Sequence, residues 1–219
     1  MLRSGTLLSC VLASSGFAQA FNIDAGGNFA EPPASGYGAA AQQLGYWNGI
    51  TTFGPVRDLF GSLTSVLFGT AEDGVFLTNI AGASADDQRL MGSMVGVQPA
   101  DPAAVFINLE PGLYNVYVYC WAGNLLGSKD VTIRAFTDAG QVVGGVSYGD
   151  AWPGGHVLGE TYDLLRVEVV PGGNQYLSIF IQAPGDFNVI NGIQLVLVPA
   201  PGWAMITPLA ALVVHRRRR

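Results

Sequence analysis

Leu109–Glu110–Pro111–Gly112–Leu113–Tyr114–Asn115–Val116–Tyr117–Val118–Tyr119–Cys120–Trp121 is the stretch that decides the fold class. Glu110–Pro111–Gly112 reads as a turn, because proline presets φ and glycine supplies positive φ without strain. Beyond it the residues alternate. Tyr114, Val116, Val118 and Cys120 fall on one face, and Asn115, Tyr117, Tyr119 and Trp121 on the other. A period of two in aromatic and β-branched residues predicts a strand with one buried face. Two packed sheets are the usual way to bury such faces.

The same reading extends outward. Residues 105–109 form a strand ahead of the turn. Val131, Ile133 and Ala135 alternate with Thr132, Arg134 and Phe136, and Asp138–Ala139–Gly140 turns the chain into 141–148. Strands at 162–170 and 176–183 are joined by Pro171–Gly172–Gly173–Asn174, and 189–198 closes the domain with a break at Asn191–Gly192. In the first half, 21–24 is a strand ended by Ala25–Gly26–Gly27–Asn28. Residues 37–47 are ambiguous, alanines favouring a helical turn and glycines opposing it. Val56, Leu59, Phe60 and Leu63 have helical spacing, weakened by Gly54–Pro55 and Gly61. Residues 65–69 and 75–79 suggest a hairpin across Ala71–Glu72–Asp73–Gly74. The best helix is 84–95: Ser84 can cap it, Asp86 and Asp87 suit its first turn, and Leu90, Met91, Met94 and Val95 give one apolar face. The expectation is an all-β chain, a single β-sandwich with one or two short helices.

The two ends of the 219 residues read differently from the middle. Arg3, an apolar run over 6–13 and Ala18–Gln19–Ala20 have the order of a secretory signal peptide, with cleavage before Phe21 by signal peptidase. Residues 1–20 are therefore assigned to the signal and 21–198 to the sandwich, 178 residues in which one core can grow. Residues 199–219 begin Pro199–Ala200–Pro201–Gly202, continue apolar from Trp203, and end in Arg216, Arg217, Arg218 and Arg219. Thirteen helical residues reach about 20 Å, short of the roughly 30 Å apolar core of a bilayer. Local thinning or snorkelling of the arginines covers part of that gap, and the arginines stay on the cytoplasmic side.

Pro-x-Pro, an apolar helix and a terminal arginine cluster resemble the PEP-CTERM sorting signals, with Ala200 where that family usually has Glu. The resemblance implies recognition by an exosortase-type transpeptidase. It also implies membrane association before processing, and a cell-surface or extracellular protein afterwards. Two further stretches carry a second resemblance. Leu109 to Tyr119 looks like a strand–turn–strand of secreted sandwich domains. Val189–Ile190–Asn191–Gly192–Ile193–Gln194–Leu195 is similar to the closing strand of galactose-binding-like jelly rolls. With Phe21–Asn22–Ile23–Asp24 at the start, that resemblance implies first and last strands lying side by side.

Residues 21–198 carry five basic against sixteen acidic side chains, a net −11. Such a surface repels phosphate backbones and excludes nucleic acid as a natural partner. Cys120 is the single cysteine left after signal cleavage, so no internal disulfide forms, and its strand position predicts a buried, inert thiol. Catalytic histidine chemistry would have to use His156, in the loop Gly149–Asp150–Ala151–Trp152–Pro153–Gly154–Gly155–His156. No nucleophile elbow, histidine cluster or phosphate loop accompanies it. Glu72–Asp73, Asp86–Asp87 and Asp150 lie near turns and can offer oxygen ligands to a structural calcium ion. Trp152 with Asp150 and His156, together with Tyr37, Trp47 and Tyr46, offers loop aromatics beside polar groups, the side-chain types that carbohydrate binding uses. The sequence thus favours an exported, non-enzymatic surface or matrix protein that binds carbohydrate weakly, with exopolysaccharide as the partner. The alternative is an extracellular glycan-active enzyme working through paired carboxylates.

Overall fold

A computed structural model describes residues 19–27, 30–49, 52–71, 73–98, 100–185 and 188–199, apart from the Asn124 side chain. Two sheets face each other. One has the order β11 (Tyr162–Val169), β8 (Gly112–Tyr119), β14 (Gly192–Val198), β1 (Ala20–Asp24) and β2 (Trp47–Gly49). The other runs β10 (Gly140–Tyr148), β9 (Lys129–Thr137), β12 (Leu177–Gln182), β7 (Ala104–Ile107), β4 (Leu63–Gly69) and β3 (Gly54–Arg57). A small third sheet joins β13 (Asn188–Ile190), β6 (Ser93–Val97) and β5 (Gly74–Leu77).

The inner faces meet in one apolar core. Tyr114, Val116 and Val118 of β8, Ile193 and Leu195 of β14 and Phe21 and Ile23 of β1 are fully buried on the first sheet. They pack against Phe68, Phe106, Ile133, Ala135 and Ile179 of the second. The Phe106 ring bridges the layers, 6.5 Å from Phe21 and 4.7 Å from Phe68. Cys120 lies in this core with its thiol pushed up by burial, an inert group as expected. First and last strands are neighbours: β1 and β14 are antiparallel, with Ala20 opposite Val196 and Asp24 opposite Gly192. Ala20, on the signal side of the expected cleavage point, is thus a strand residue, and the Gln19 carbonyl accepts from Leu197 N at 3.0 Å.

Several expectations are corrected. The helical spacing at Val56, Leu59, Phe60 and Leu63 belongs to the β3–β4 pair, whose bulge between Pro55 and Arg57 shifts the register and breaks the period of two. β4 and β5 form no hairpin: β4 pairs with β3 and β7, while β5 pairs with β6. The helix is α1 (Ala85–Gly92), capped by the Ser84 hydroxyl accepting from Asp87 N at 3.1 Å. Met94 and Val95 leave it for β6, and both are fully buried. A short second helix, α2 (Gly123–Leu126), follows β8. Strands β11 and β12 lie in different sheets, so the link at 171–174 crosses the sandwich.

No helix of the described residues is long and apolar enough to cross a membrane. Ala18, Ala200, Pro201, Gly202 and the apolar run with Arg216 to Arg219 lie outside the described residues, as does Glu72.

Candidate functional site

The outer face of the first sheet is covered at one end. Asn22, Tyr119 and Gln194 point away from the core, yet all three are fully buried. A strap, residues 34–47, lies over them and is held by a closed polar network. The Asn22 amide oxygen accepts from Gln43 Nε2 and Gln194 Nε2, each at 2.8 Å. The Tyr119 hydroxyl donates to Gln194 Oε1 at 2.5 Å and accepts from Ala40 N at 2.9 Å. Every member has a partner, so the network fixes the strap instead of offering groups to a ligand.

Beside the strap, the loop 149–161 brings His156 against Tyr37 and α1. The Tyr37 hydroxyl donates to Asp87 Oδ1 at 2.5 Å and faces His156 Nε2, also at 2.5 Å. Asp87 Oδ1 stands 3.2 Å from the same ring nitrogen, and Asp87 Oδ2 accepts from the capping Ser84 hydroxyl at 2.8 Å. Burial first, then the Asp87 hydrogen bond, raises the Tyr37 pKa, so it stays a phenol. Its one proton goes to Asp87. The neutral His156 ring must then carry its proton on Nε2, and this leaves Nδ1 as a bare acceptor. Burial lowers the His156 pKa against the pull of Asp87 and favours that neutral form.

Rings enclose this group. Tyr119 meets His156 edge-on at 5.2 Å, Trp152 meets it at 6.0 Å and 87°, and Trp121 meets Trp152 at 5.4 Å and 76°. Three buried ring nitrogens here lack a hydrogen-bond partner: His156 Nδ1, Trp152 Nε1 and Trp121 Nε1. Such groups are costly to leave unmade, about 1–3 kcal/mol each. Two are donors and one is an acceptor. A hydroxyl group or a water molecule, which both donates and accepts, is the chemistry that matches them.

The loop over these nitrogens is tied unevenly. Its C-terminal half is fastened: Thr161 N donates to Val157 O, Val157 N to Thr161 Oγ1, and Ser147 N to Gly159 O. Among the described residues, 150–155 make no backbone–backbone hydrogen bond. Their N-terminal end rests on Gly123, where an added Cβ would stand 2.1 Å from Gly149 O. Only glycine allows that approach.

The residues singled out from sequence divide. His156, Trp152 and Trp47 are brought together, Trp47 through Tyr37, whose carbonyl accepts from its indole N–H at 3.0 Å. Tyr46 is not: it lies beneath the Arg57 guanidinium and its backbone N–H donates to Leu59 O. Asp150 is exposed, with its carboxylate toward Gly127. Of the calcium candidates, Asp86 pairs with Arg89 and accepts from Ala34 N, and Asp73 accepts from Gln98. Among the described residues no three His, Cys, Asp or Glu side chains converge as a metal site. By period alone Tyr119 and Trp121 fall on the open face of their strand, and Asp87 is a first-turn acid or an oxygen ligand. Strap and loop cover that face here, a long-range effect that no local period encodes.

No family model and no curated protein matches the chain. Among solved structures, a β-glucuronidase of Bacteroides uniformis is similar over 84% of this chain and 18% of that one, at 14% identity and a TM-score of 0.47. The carbohydrate-binding module TmCBM61, in complex with β-1,4-galactotriose, is similar over 62% of this chain and 90% of that one, at 11% identity and a TM-score of 0.34. The CBM22-1 and GH10 modules of Clostridium thermocellum xylanase 10B, complexed with xylohexaose, are similar over 64% of this chain and 27% of that one, at 15% identity and a TM-score of 0.32.

Proposed function

We propose that this is an exported, non-enzymatic surface or matrix protein, built on a galactose-binding-like jelly roll, whose sandwich binds neutral carbohydrate at the Trp152–His156 end. The observation that carries the reading is a trio of buried, unpartnered ring nitrogens, two of them (Trp152 and His156) on a loop whose leading half is weakly tied and the third on Trp121, just past β8. Sugar hydroxyls are donor and acceptor at once, the chemistry that His156 Nδ1 and the two indole N–H groups lack. The indole faces supply the apolar contact that sugar rings take. Access requires residues 150–155 to lift, which limits the site to the end of a chain or a side branch. The signal peptide and the PEP-CTERM-like tail deliver this domain to the surface, where exopolysaccharide is at hand.

Affinity electrophoresis of the full chain through gels holding neutral polysaccharides tests this. Retardation by at least one glucan, xylan or galactan is expected, with Trp152→Ala weakening it about tenfold or more. No retardation in any gel, or retardation unchanged by that substitution, would overturn the site. Mass spectrometry of both termini of the surface protein tests export: a chain starting at Phe21 and lacking Arg219 is expected.

A further inference from the structure

The outer face of the second sheet carries a separate feature. Arg134, Phe136, Phe180 and Gln182 line a shallow depression of about 110 Å³. Phe136 and Phe180 meet edge to face, with ring centroids 5.3 Å apart at 83°. Register sets this group: Arg134 of β9 lies opposite Phe180 of β12 on one side and Val143 of β10 on the other. Along its own strand the same face carries Thr132 and Phe136, and the diagonal positions on both neighbours are neutral.

In a domain of net −11 the setting of this arginine is informative. Arg89 is paired with Glu31 and Asp86. Arg134 has no ion pair among the described residues, and no carboxylate occupies any adjoining position of its face. A planar fork of donors, an aromatic surface and a terminal amide therefore share one small concavity. Guanidinium groups take carboxylates two oxygens at a time. Aromatic rings take the apolar face of a sugar, and the Gln182 amide can both donate to and accept from hydroxyls.

We propose that this depression binds one carboxylated pyranose, a uronate unit of an acidic polysaccharide. Its carboxylate lies on Arg134, its ring lies on Phe136 and Phe180, and a hydroxyl lies at Gln182. The volume is well under the roughly 300 Å³ at which drug-sized ligand pockets begin. The contact is therefore a single ring with millimolar affinity, made useful by repetition along a polymer. Net negative charge on the domain opposes any long-range pull on a polyanion, so selectivity comes from the local fork. The proposal does not rest on the Trp152 site.

The test is a titration of the full chain, followed by NMR, with trigalacturonate and with its uncharged methyl ester. The acid is expected to bind about tenfold more tightly than the ester. Arg134→Gln should abolish that preference, and Arg134→Lys, which keeps the charge and loses the fork, should retain only part of it. Phe180→Ala should weaken the binding of both ligands at this face, and Trp152→Ala should leave the binding at this face unchanged. Equal binding of acid and ester, full preference retained by Arg134→Gln, or no binding at about 10 mM would overturn the proposal. Loss of neutral-glycan retardation in Trp152→Ala with the uronate preference intact would separate the two sites.

Discussion

Nε2 of His156 stands 3.2 Å from Oδ1 of Asp87, joining the loop ahead of β11 to the first turn of α1. This contact could be a salt bridge only if the ring were charged, and burial lowers the His156 pKa. Linkage then has a definite sign. Below the ordinary histidine value of about 6.5 the unfolded chain takes up a proton that the folded chain resists. The His156 contribution to stability falls as pH drops from 6.5 toward the folded pKa and is constant above 6.5. Thermal melts of the wild type and of His156→Gln, compared from pH 7 to pH 5, should show the wild type losing midpoint relative to the variant as pH falls. A difference between the two that does not change with pH would contradict the assignment.

Asn191 is fully buried where β13 passes to β14. Its Oδ1 accepts from Trp121 N at 2.7 Å, its Nδ2 donates to Met91 O at 2.9 Å, and its carbonyl accepts from Ala25 N at 3.0 Å. One side chain thus ties the end of β8 to the end of α1. Asn191→Ala strands a buried N–H and a buried carbonyl. A loss of about 2–4 kcal/mol is expected, or about 4–16 °C in Tm for a domain of this size. Differential scanning calorimetry gives the value, and a drop under about 2 °C would contradict the role.

Asp24 is the buried acid of the fold. Its Oδ1 accepts from Gly26 N at 3.2 Å and from the Ser93 hydroxyl at 3.1 Å, while Oδ2 has no partner. Burial outweighs both hydrogen bonds and raises its pKa well above the ordinary value. The folded chain therefore holds a proton that the unfolded chain releases above about pH 4. Asp24 contributes less stability as pH rises from there through its folded pKa. Asp24→Asn keeps the shape and removes the titration. It should raise Tm at pH 8 and give no such gain at pH 4; equal effects at both would contradict a buried, titrating acid.

The second half of the fold was legible because its strands are long and one-sided. Tyr114, Val116 and Val118 alternate with the half-buried Leu113, Asn115 and Tyr117, and Glu110–Pro111–Gly112 and Asp138–Ala139–Gly140 mark turns beside the strands. The first half was not. β2 has three residues and β3 four, too few for a period, and the β3 bulge mimics helical spacing. At the site, Trp152 and His156 stood out as a loop aromatic and a lone histidine. Tyr37 stood out only as one more loop aromatic and Asp87 only as a first-turn acid or an oxygen ligand; nothing local pairs either with His156, because the three lie on separate segments. Trp121 alternates like an outward residue, yet it is fully buried, with Trp152 of the loop 149–161 edge-on against its ring. The motif Ile190–Asn191–Gly192–Ile193 was readable as a break, while the three elements that Asn191 joins are far apart in the chain.

Indole N–H resonances of the ¹⁵N-labelled full chain test the central claim most directly. Trp47 serves as the internal control, since its N–H is already bonded to the Tyr37 carbonyl. On titration with neutral β-linked trisaccharides of glucose, xylose and galactose, at least one sugar should shift the Trp121 and Trp152 N–H signals together and leave Trp47 in place. In Trp152→Ala the Trp121 shift should vanish. Trp121 and Trp152 signals that stay fixed with every sugar at about 10 mM would mean that those nitrogens serve no glycan, and the binding account would fail.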